Sequence, residues 1–295
     1  LIASGDESGT VRLRDVVRGG EATVMVEKER KRVFALAVLS DGCHLAAGLF
    51  AEYGKVGAIV KWDTGVVPPI RRTAIDFRSG VRALAVLRDG CLAAGCADGG
   101  VRLVEVSADA CGVTTTLTGH TNSVYALAVL PDGTLVSGSH DRTVRLWDVG
   151  VRVCVATLVG HTGGVYVLAV LADGRLASGS DDRSVRLWDV ATRACVAVLE
   201  GHTRAVYALA ALPDGRLASG SFDGTIRVWD TRPAAAAGDA NAGILALVKR
   251  FLPRTTPAVV LEGHTVTVCA LQPLPGGRLA SASADNTVRL WRLPA

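Results

Sequence analysis

GHTGGVYVLAVLADGRLASGSDDRSVRLWDV, residues 160–190, decides how this chain folds. Val165-Tyr-Val-Leu-Ala-Val-Leu171 reads as an apolar strand, and the Asp173-Gly174 pair after it is a strong hairpin-turn signal. Leu176-Ala-Ser-Gly-Ser180 is a second strand built from small residues. Sheets that converge on a common axis need such residues, because large side chains would hold them apart. A second turn around Asp182 leads to Val185-Arg-Leu-Trp188, and an outer strand follows at Ala194–Leu199. One unit is therefore a small four-stranded antiparallel sheet.

The same text recurs. GHTNSVYALAVLPDGTLVSGSHDRTVRLWDV (119–149), GHTRAVYALAALPDGRLASGSFDGTIRVWDT (201–231) and GHTVTVCALQPLPGGRLASASADNTVRLWRL (263–293) lie on one frame. Trp147, Trp188 and Trp229 stand 41 residues apart, and Trp291 follows after 62, the period plus a 21-residue insertion. Three weaker copies lie upstream: SGDESGTVRLRDV from Ser4, VFALAVLSDG (33–42) leading to IVKWDTG, and VRALAVLRDG (81–90) leading to VRLVEV. The VRLW-type strand therefore occurs seven times, and four-stranded sheets repeated about an axis protect most of their edges.

The Gly-His pair, the Asp of the second turn and the closing Trp-Asp resemble the WD40-repeat family across nearly the whole chain. The spacing is specific: His to Asp is 21 residues in all four strong copies, and Asp to Trp is 6. The resemblance implies an all-β, seven-bladed WD40 β-propeller forming a single domain over 1–295. Degenerate repeats are expected at 1–26, 27–75 and 76–117, and clear ones at 118–158, 159–199, 200–231 and 262–293. An insertion occupies 232–257. The inner strand of blade one and the outer strand of blade seven are missing from the pattern. They are expected in about twenty residues before Leu1, so the chain reads as a fragment.

In that family a His, a Ser or Thr, the turn Asp and the Trp form a hydrogen-bonded chain inside each blade. Carried over, the sets are His120, Ser137, Asp141, Trp147; His161, Ser178, Asp182, Trp188; His202, Ser219, Asp223, Trp229; and His264, Ser281, Asp285, Trp291. Ser, His and Asp also compose a nucleophilic triad, but four copies in one chain and a Trp partner are foreign to that chemistry. The first three blades depart from the pattern. Ser8 stands for Asp and Arg14 for Trp in blade one. Glu29 stands for His in blade two, with a longer turn from Phe50 to Lys55. Phe77 stands for His, Ala94 for Ser and Val104 for Trp in blade three.

Tyr125, Tyr166 and Tyr207 follow the first Val of their strands, with Phe34, Arg82 and Cys269 at the matching places. The resemblance places this region near the mouth of the central channel. Aromatic rings and Arg there are either interface anchors or repeated core-edge positions. The residue before the turn Asp varies freely, as His140, Asp181, Phe222 and Ala284. The third-strand Arg (Arg12, Arg102, Arg145, Arg186, Arg227, Arg289) alternates onto the Trp face, which predicts packing of its stem or a cation–π contact. Inside the insertion, apolar residues at helical spacing predict a short helix over 243–252, either capping the propeller or docking a partner. Trp229-Asp230-Thr231-Arg232 resembles the WDxR box of substrate receptors of cullin-type ubiquitin ligases, with Asp230 and Arg232 as the adaptor contacts.

Composition agrees. Of 295 residues, 49% are hydrophobic and 5% aromatic, with 33 Gly, which suits short strands and tight turns and not a disordered tail. A net charge of +4 is spread along the chain, and its one dense cluster, Glu27–Arg32, mixes signs and reads as a solvated loop; nucleic acid is not indicated. Seven cysteines without a CxxC pair suggest neither disulfides nor zinc, and Cys154 and Cys195 read as small buried side chains. A reducing, intracellular setting, cytoplasmic or nuclear, follows. No apolar run of membrane-crossing length, dinucleotide fingerprint, phosphate loop or nucleophile elbow is present. These readings lead to a non-catalytic scaffold without cofactor or metal. It would bind one or more proteins or peptides as a monomeric propeller within a larger complex. The alternative is the substrate receptor of a ubiquitin ligase.

Overall fold

A computed structural model describes residues 2–6, 8–14, 23–26, 32–39, 41–50, 57–66, 69–106, 111–232, 257 and 259–294. Among them are twenty-six strands in seven antiparallel sheets, and no helix. The first sheet is β1 (Ile2–Gly5), β2 (Thr10–Arg14) and β3 (Thr23–Val26). The second is β4 (Arg32–Val38), β5 (His44–Phe50), β6 (Gly57–Asp63) and β7 (Ile70–Phe77). β8 (Val81–Val86), β9 (Leu92–Cys96), β10 (Val101–Val106) and β11 (Cys111–Leu117) make the third. β12 (Val124–Val129), β13 (Leu135–Ser139), β14 (Thr143–Asp148) and β15 (Val153–Val159) make the fourth. The fifth is β16 (Val165–Val170), β17 (Leu176–Ser180), β18 (Val185–Asp189) and β19 (Ala194–Leu199). The sixth is β20 (Val206–Ala211), β21 (Leu217–Ser221), β22 (Ile226–Trp229) and β23 (Val259–Leu261). The seventh has three strands, β24 (Val268–Leu274), β25 (Arg278–Ser283) and β26 (Val288–Arg292). The helix expected over 243–252 and Glu29 lie outside the described residues, as do 51–55 of the longer turn in blade two.

The chain divides into two compact units, residues 1–141 with 145–155, and residues 142–144 with 156–295. In each, strands pair in sequence order, because a tight turn can only return the chain antiparallel beside itself. The Asp-Gly turns show how. Gly174 takes a φ of +86°, and Asp173 Oδ1 accepts the Arg175 N–H at 3.1 Å, closing the turn with a side chain.

Hydrophobic core lies between neighbouring sheets. In the second unit, Val185, Leu187 and Leu199 of the fifth sheet pack with Val206, Leu217 and Trp229 of the sixth. In the first unit, Val101, Leu103 and Leu117 pack with Val124, Leu135 and Trp147. Each such aliphatic side chain contributes about 1.5–3 kcal/mol by burial. The small second strand permits this approach. A Cβ on Gly179 would lie 2.7 Å from Val206 Cγ1, and one on Gly95 would lie 2.7 Å from Val124 Cγ1. Each of these valines opens the next sheet in the chain. At the outer strand of the seventh sheet, Val288 and Leu290 are 72% and 66% exposed, whereas Val185 and Leu187 at the matching places are fully buried. No fourth strand covers them among the described residues.

Candidate functional site: buried tetrads and a bulged aromatic row

The four His-Ser-Asp-Trp sets each come together inside one sheet. In the fifth, Trp188 Nε1 donates to Ser178 Oγ at 2.8 Å, Ser178 Oγ lies 2.7 Å from His161 Nε2, and His161 Nδ1 lies 2.8 Å from Asp182 Oδ2. Donor chemistry orients the chain. An indole can only donate and a carboxylate only accept, so Ser178 Oγ takes the Trp188 N–H, His161 Nδ1–H donates to Asp182, and in the neutral imidazole Nε2 accepts from the Ser178 hydroxyl. The same bonds recur at His120, Ser137, Asp141 and Trp147. They recur again at His202, Ser219, Asp223 and Trp229, and at His264, Ser281, Asp285 and Trp291. In each set the first serine of the Ser-Gly-Ser or Ser-Ala-Ser stretch is used. The second, Ser180, donates to Gly163 O at 3.1 Å and accepts the Asp182 N–H.

Asp182 is the anchor. Its Oδ2 also takes the Thr162 N–H, and its Oδ1 takes the Ser184 N–H and hydroxyl. Burial opposes its charge, but the bonds from His161 and Ser184 outweigh burial and hold the carboxyl well below the usual range. Asp223 behaves likewise through His202 and Thr225. At Asp285 the Thr287 hydroxyl is the leading cause, opposed by desolvation and reinforced by His264. Hydroxyl, imidazole and carboxylate stand here in the order a nucleophilic triad would use. Yet Ser137, Ser178 and Ser219 are fully buried and Ser281 nearly so, and each hydroxyl is tied to an indole. A substrate has no path to them.

Degenerate blades replace the set with other pairings. In blade three, where Phe77 stands for His, Arg102 turns onto Asp98 with contacts of 3.0 and 2.6 Å while lying over the Phe77 ring at 5.8 Å. In blade one, Asp6 and not Ser8 carries the carboxylate. It caps the turn by accepting the N–H groups of Ser8 and Thr10, and it pairs with Arg12 at 3.0 Å. In the complete blades, Arg145 and Arg186 lie instead against Gly119 and Gly160 beside the tip of the Trp ring. A Cβ on Gly119 would meet Arg145 Nη1 at 2.7 Å, and Gly119 takes a φ of +154°, a backbone conformation that L side chains rarely adopt. The cysteine expectation is corrected here. Cys195 is exposed and Cys154 half-buried, because both stand on outer strands, β19 and β15, where they accept from Arg186 and Arg145 at 3.6 and 3.7 Å. Among the described cysteines Cys96 is the buried one, and burial pushes its thiol up to about 11.

The second site is one the sequence marked without explaining. In six sheets the ladder between first and second strand slips by one residue, and the residue left unpaired is Phe34, Arg82, Tyr125, Tyr166, Tyr207 or Cys269. A bulge releases one side chain from the alternation and re-aims it. In each sheet this residue stands at the end where the first strand begins. In the first unit, Arg82 Cζ lies 5.3, 4.9 and 4.6 Å from the ring centroids of Phe34, Phe50 and Tyr125. Phe34 and Phe50 meet edge to face, and Tyr125 adjoins His140. In the second unit, Tyr166 and Tyr207 stack in parallel at 4.9 Å, Tyr207 touches Phe222, and Arg204 lies over Phe222 at 5.2 Å. Phe34 and Phe222 are each 43% exposed and Tyr207 38%.

Arg232 folds back on Asp230, with Nε and Nη2 at 2.8 and 2.9 Å from its two carboxylate oxygens, while its side chain stays 56% exposed. A cleft at the opposite end of the sheets is lined by Arg88, Asp89, Asp132 and Asp148, but each aspartate already caps its own turn. Among the described residues no group of three His, Cys, Asp or Glu is placed to hold a metal, and no helix is long and apolar enough to cross a membrane.

Comparison with known proteins agrees with this geometry. The model described as "WD domain, G-beta repeat" matches residues 111–148, 152–189, 193–230 and 255–292. Human coronin-7 is 54% identical over 43 residues, a match spanning 14% of this chain and 5% of that protein. The WD40 β-propeller domain of Doa1 superposes with a TM-score of 0.74 at 22% identity, covering 98% of this chain and 88% of that one. The computationally designed Ika8 protein superposes with a TM-score of 0.71 at 26% identity, covering 99% and 80%.

Proposed function

Because the chain belongs to the WD40-repeat family, as a seven-bladed propeller whose four matched repeats carry complete tetrads, we propose that it is a non-catalytic scaffold docking other proteins or peptides. The carrying observation is the bulge. It sets Phe34, Arg82, Tyr125, Tyr166 and Tyr207 outside the ladder at one end of their sheets. Partly exposed rings of limited rotamer freedom bind at low entropic loss, which favours Tyr and Arg as interface anchors. The tetrads serve as blade pins in this reading, since their hydroxyls are buried. The working form is a monomeric propeller within a larger intracellular complex, without cofactor. The ubiquitin-ligase reading rests on the Trp229–Arg232 sequence alone and gains no support from the Arg232–Asp230 pair.

Affinity capture with mass spectrometry tests the proposal, comparing the parent chain with its Tyr125/Tyr166/Tyr207 triple-alanine variant. Partners lost from a variant whose melting temperature is kept support it. An unchanged partner set refutes it.

A further inference from the structure

We propose that Arg82 is an anchor for a carboxylate, and that the partner docking on the first unit presents a single Asp or Glu side chain between apolar residues of an extended segment. The inference rests on the scaffold reading and adds the chemistry of what is docked.

Arg82 differs from the other arginines of the described blades in what surrounds it. Its guanidinium sits among three aromatic rings at 4.6–5.3 Å. No hydrogen bond or ion pair joins it to a described acceptor, and its Nε is buried without a partner, as are those of Arg145, Arg186 and Arg227. Described carboxylates at the same end, in its own sheet and the next, are already engaged. Asp98 is held by Arg102, and Asp141 by His120 and the Thr121 N–H. The bulge that releases Arg82 from the β8–β9 ladder fixes this placement in the backbone.

Such a group is poised for an anion. Guanidinium is weakly hydrated and planar, and rings stacked around it hold the fork in place without using its donors. An arriving carboxylate finds those donors pre-oriented and partly shielded from water, where charge-assisted bonds are strongest. One guanidinium balances one carboxylate. A phosphate carries nearly two charges and calls for a second cation, whereas the side chains described against Arg82 are rings. The exposed ring edge of Phe34 then adjoins apolar residues flanking the acid.

Random octapeptides displayed on phage and selected on the purified full chain provide the probe, with the same selection on Arg82→Gln. Enriched sequences should share one Asp or Glu at a fixed position flanked by apolar residues, and should not enrich on Arg82→Gln. A selected peptide should lose at least tenfold in affinity, about 1.4 kcal/mol, when its acid becomes the amide or when the chain carries Arg82→Gln. Arg82→Lys should recover part of the loss, and unchanged melting temperatures show that the variants fold. Peptides that enrich without a fixed acid and bind Arg82→Gln normally, but lose affinity on Tyr166→Ala with Tyr207→Ala, overturn the carboxylate anchor while supporting the scaffold. No enrichment over a serum-albumin control overturns both. Tighter binding of the phosphoserine peptide than of the glutamate peptide overturns the choice of anion.

Discussion

Ser178→Ala probes the tetrad with little change in packing, since it removes one oxygen and no carbon. Two buried groups lose their partner: the Trp188 indole N–H, donating at 2.8 Å, and His161 Nε2 at 2.7 Å. Each orphaned group costs about 1–3 kcal/mol, and no longer burying the serine hydroxyl offsets part of that, so the sum is about 2–4 kcal/mol. With an unfolding entropy of roughly 2.1 cal/mol/K per residue, that lowers the melting temperature by about 5 °C if the whole chain melts together. The fall is about 10 °C if residues 142–144 and 156–295 melt as their own unit. Scanning calorimetry measures it. Trp188→Phe then closes a double-mutant cycle, because it removes the donor that Ser178→Ala strands. The double variant should fall short of the summed losses by about 1 kcal/mol or more. A melting temperature within about 1 °C of the parent, or strict additivity, refutes the reasoning.

Acid stability follows from the depressed carboxyls of Asp182, Asp223 and Asp285. Their folded pKa lies below the ordinary 3.8, so their contribution is full above about pH 4 and is lost as pH falls below it. Urea unfolding from pH 7 to 3 should show that decline, with a shallower slope in Asp182→Asn; equal slopes count against the assignment. Gly179→Ala forces a Cβ to 2.7 Å from both Val167 Cγ1 and Val206 Cγ1 and should destabilise by about 1–3 kcal/mol in chemical denaturation. Adding Val206→Ala should return part of that loss. Iodoacetamide on the native chain should label the exposed Cys43 and Cys195 and spare the buried Cys96, whose thiol is pushed up to about 11. Equal labelling by mass spectrometry contradicts the burial.

Strands and tetrad partners were legible because they rest on local spacing. Asp173-Gly174 is one turn, and the 21 residues from His161 to Asp182 are one circuit of a sheet. Pairings in the degenerate blades were not legible. Ser8 occupies the expected frame, yet Asp6, two residues earlier, reaches the same backbone donors, and Arg102 pairs with Asp98 in the blade where Phe77 offers no proton. Bulges were hidden for a similar reason. A one-residue slip leaves the apolar alternation intact, and its only trace is a variable second residue in an otherwise constant strand. Arg82 among Phe34, Phe50 and Tyr125 joins three sheets, a contact that no spacing announces. The exposure of Cys195 is not legible either, since a small apolar residue in a repeat points to burial, whereas an outer strand has one face in water.

The docking claim itself is met most directly by photo-crosslinking in a lysate, with benzoylphenylalanine placed at Tyr207 and, in a second chain, at Val151, an exposed residue at the opposite sheet end. The account expects discrete higher-mass adducts from position 207 and none from position 151. Adducts from 151 with none from 207 would place binding on the other end and contradict it.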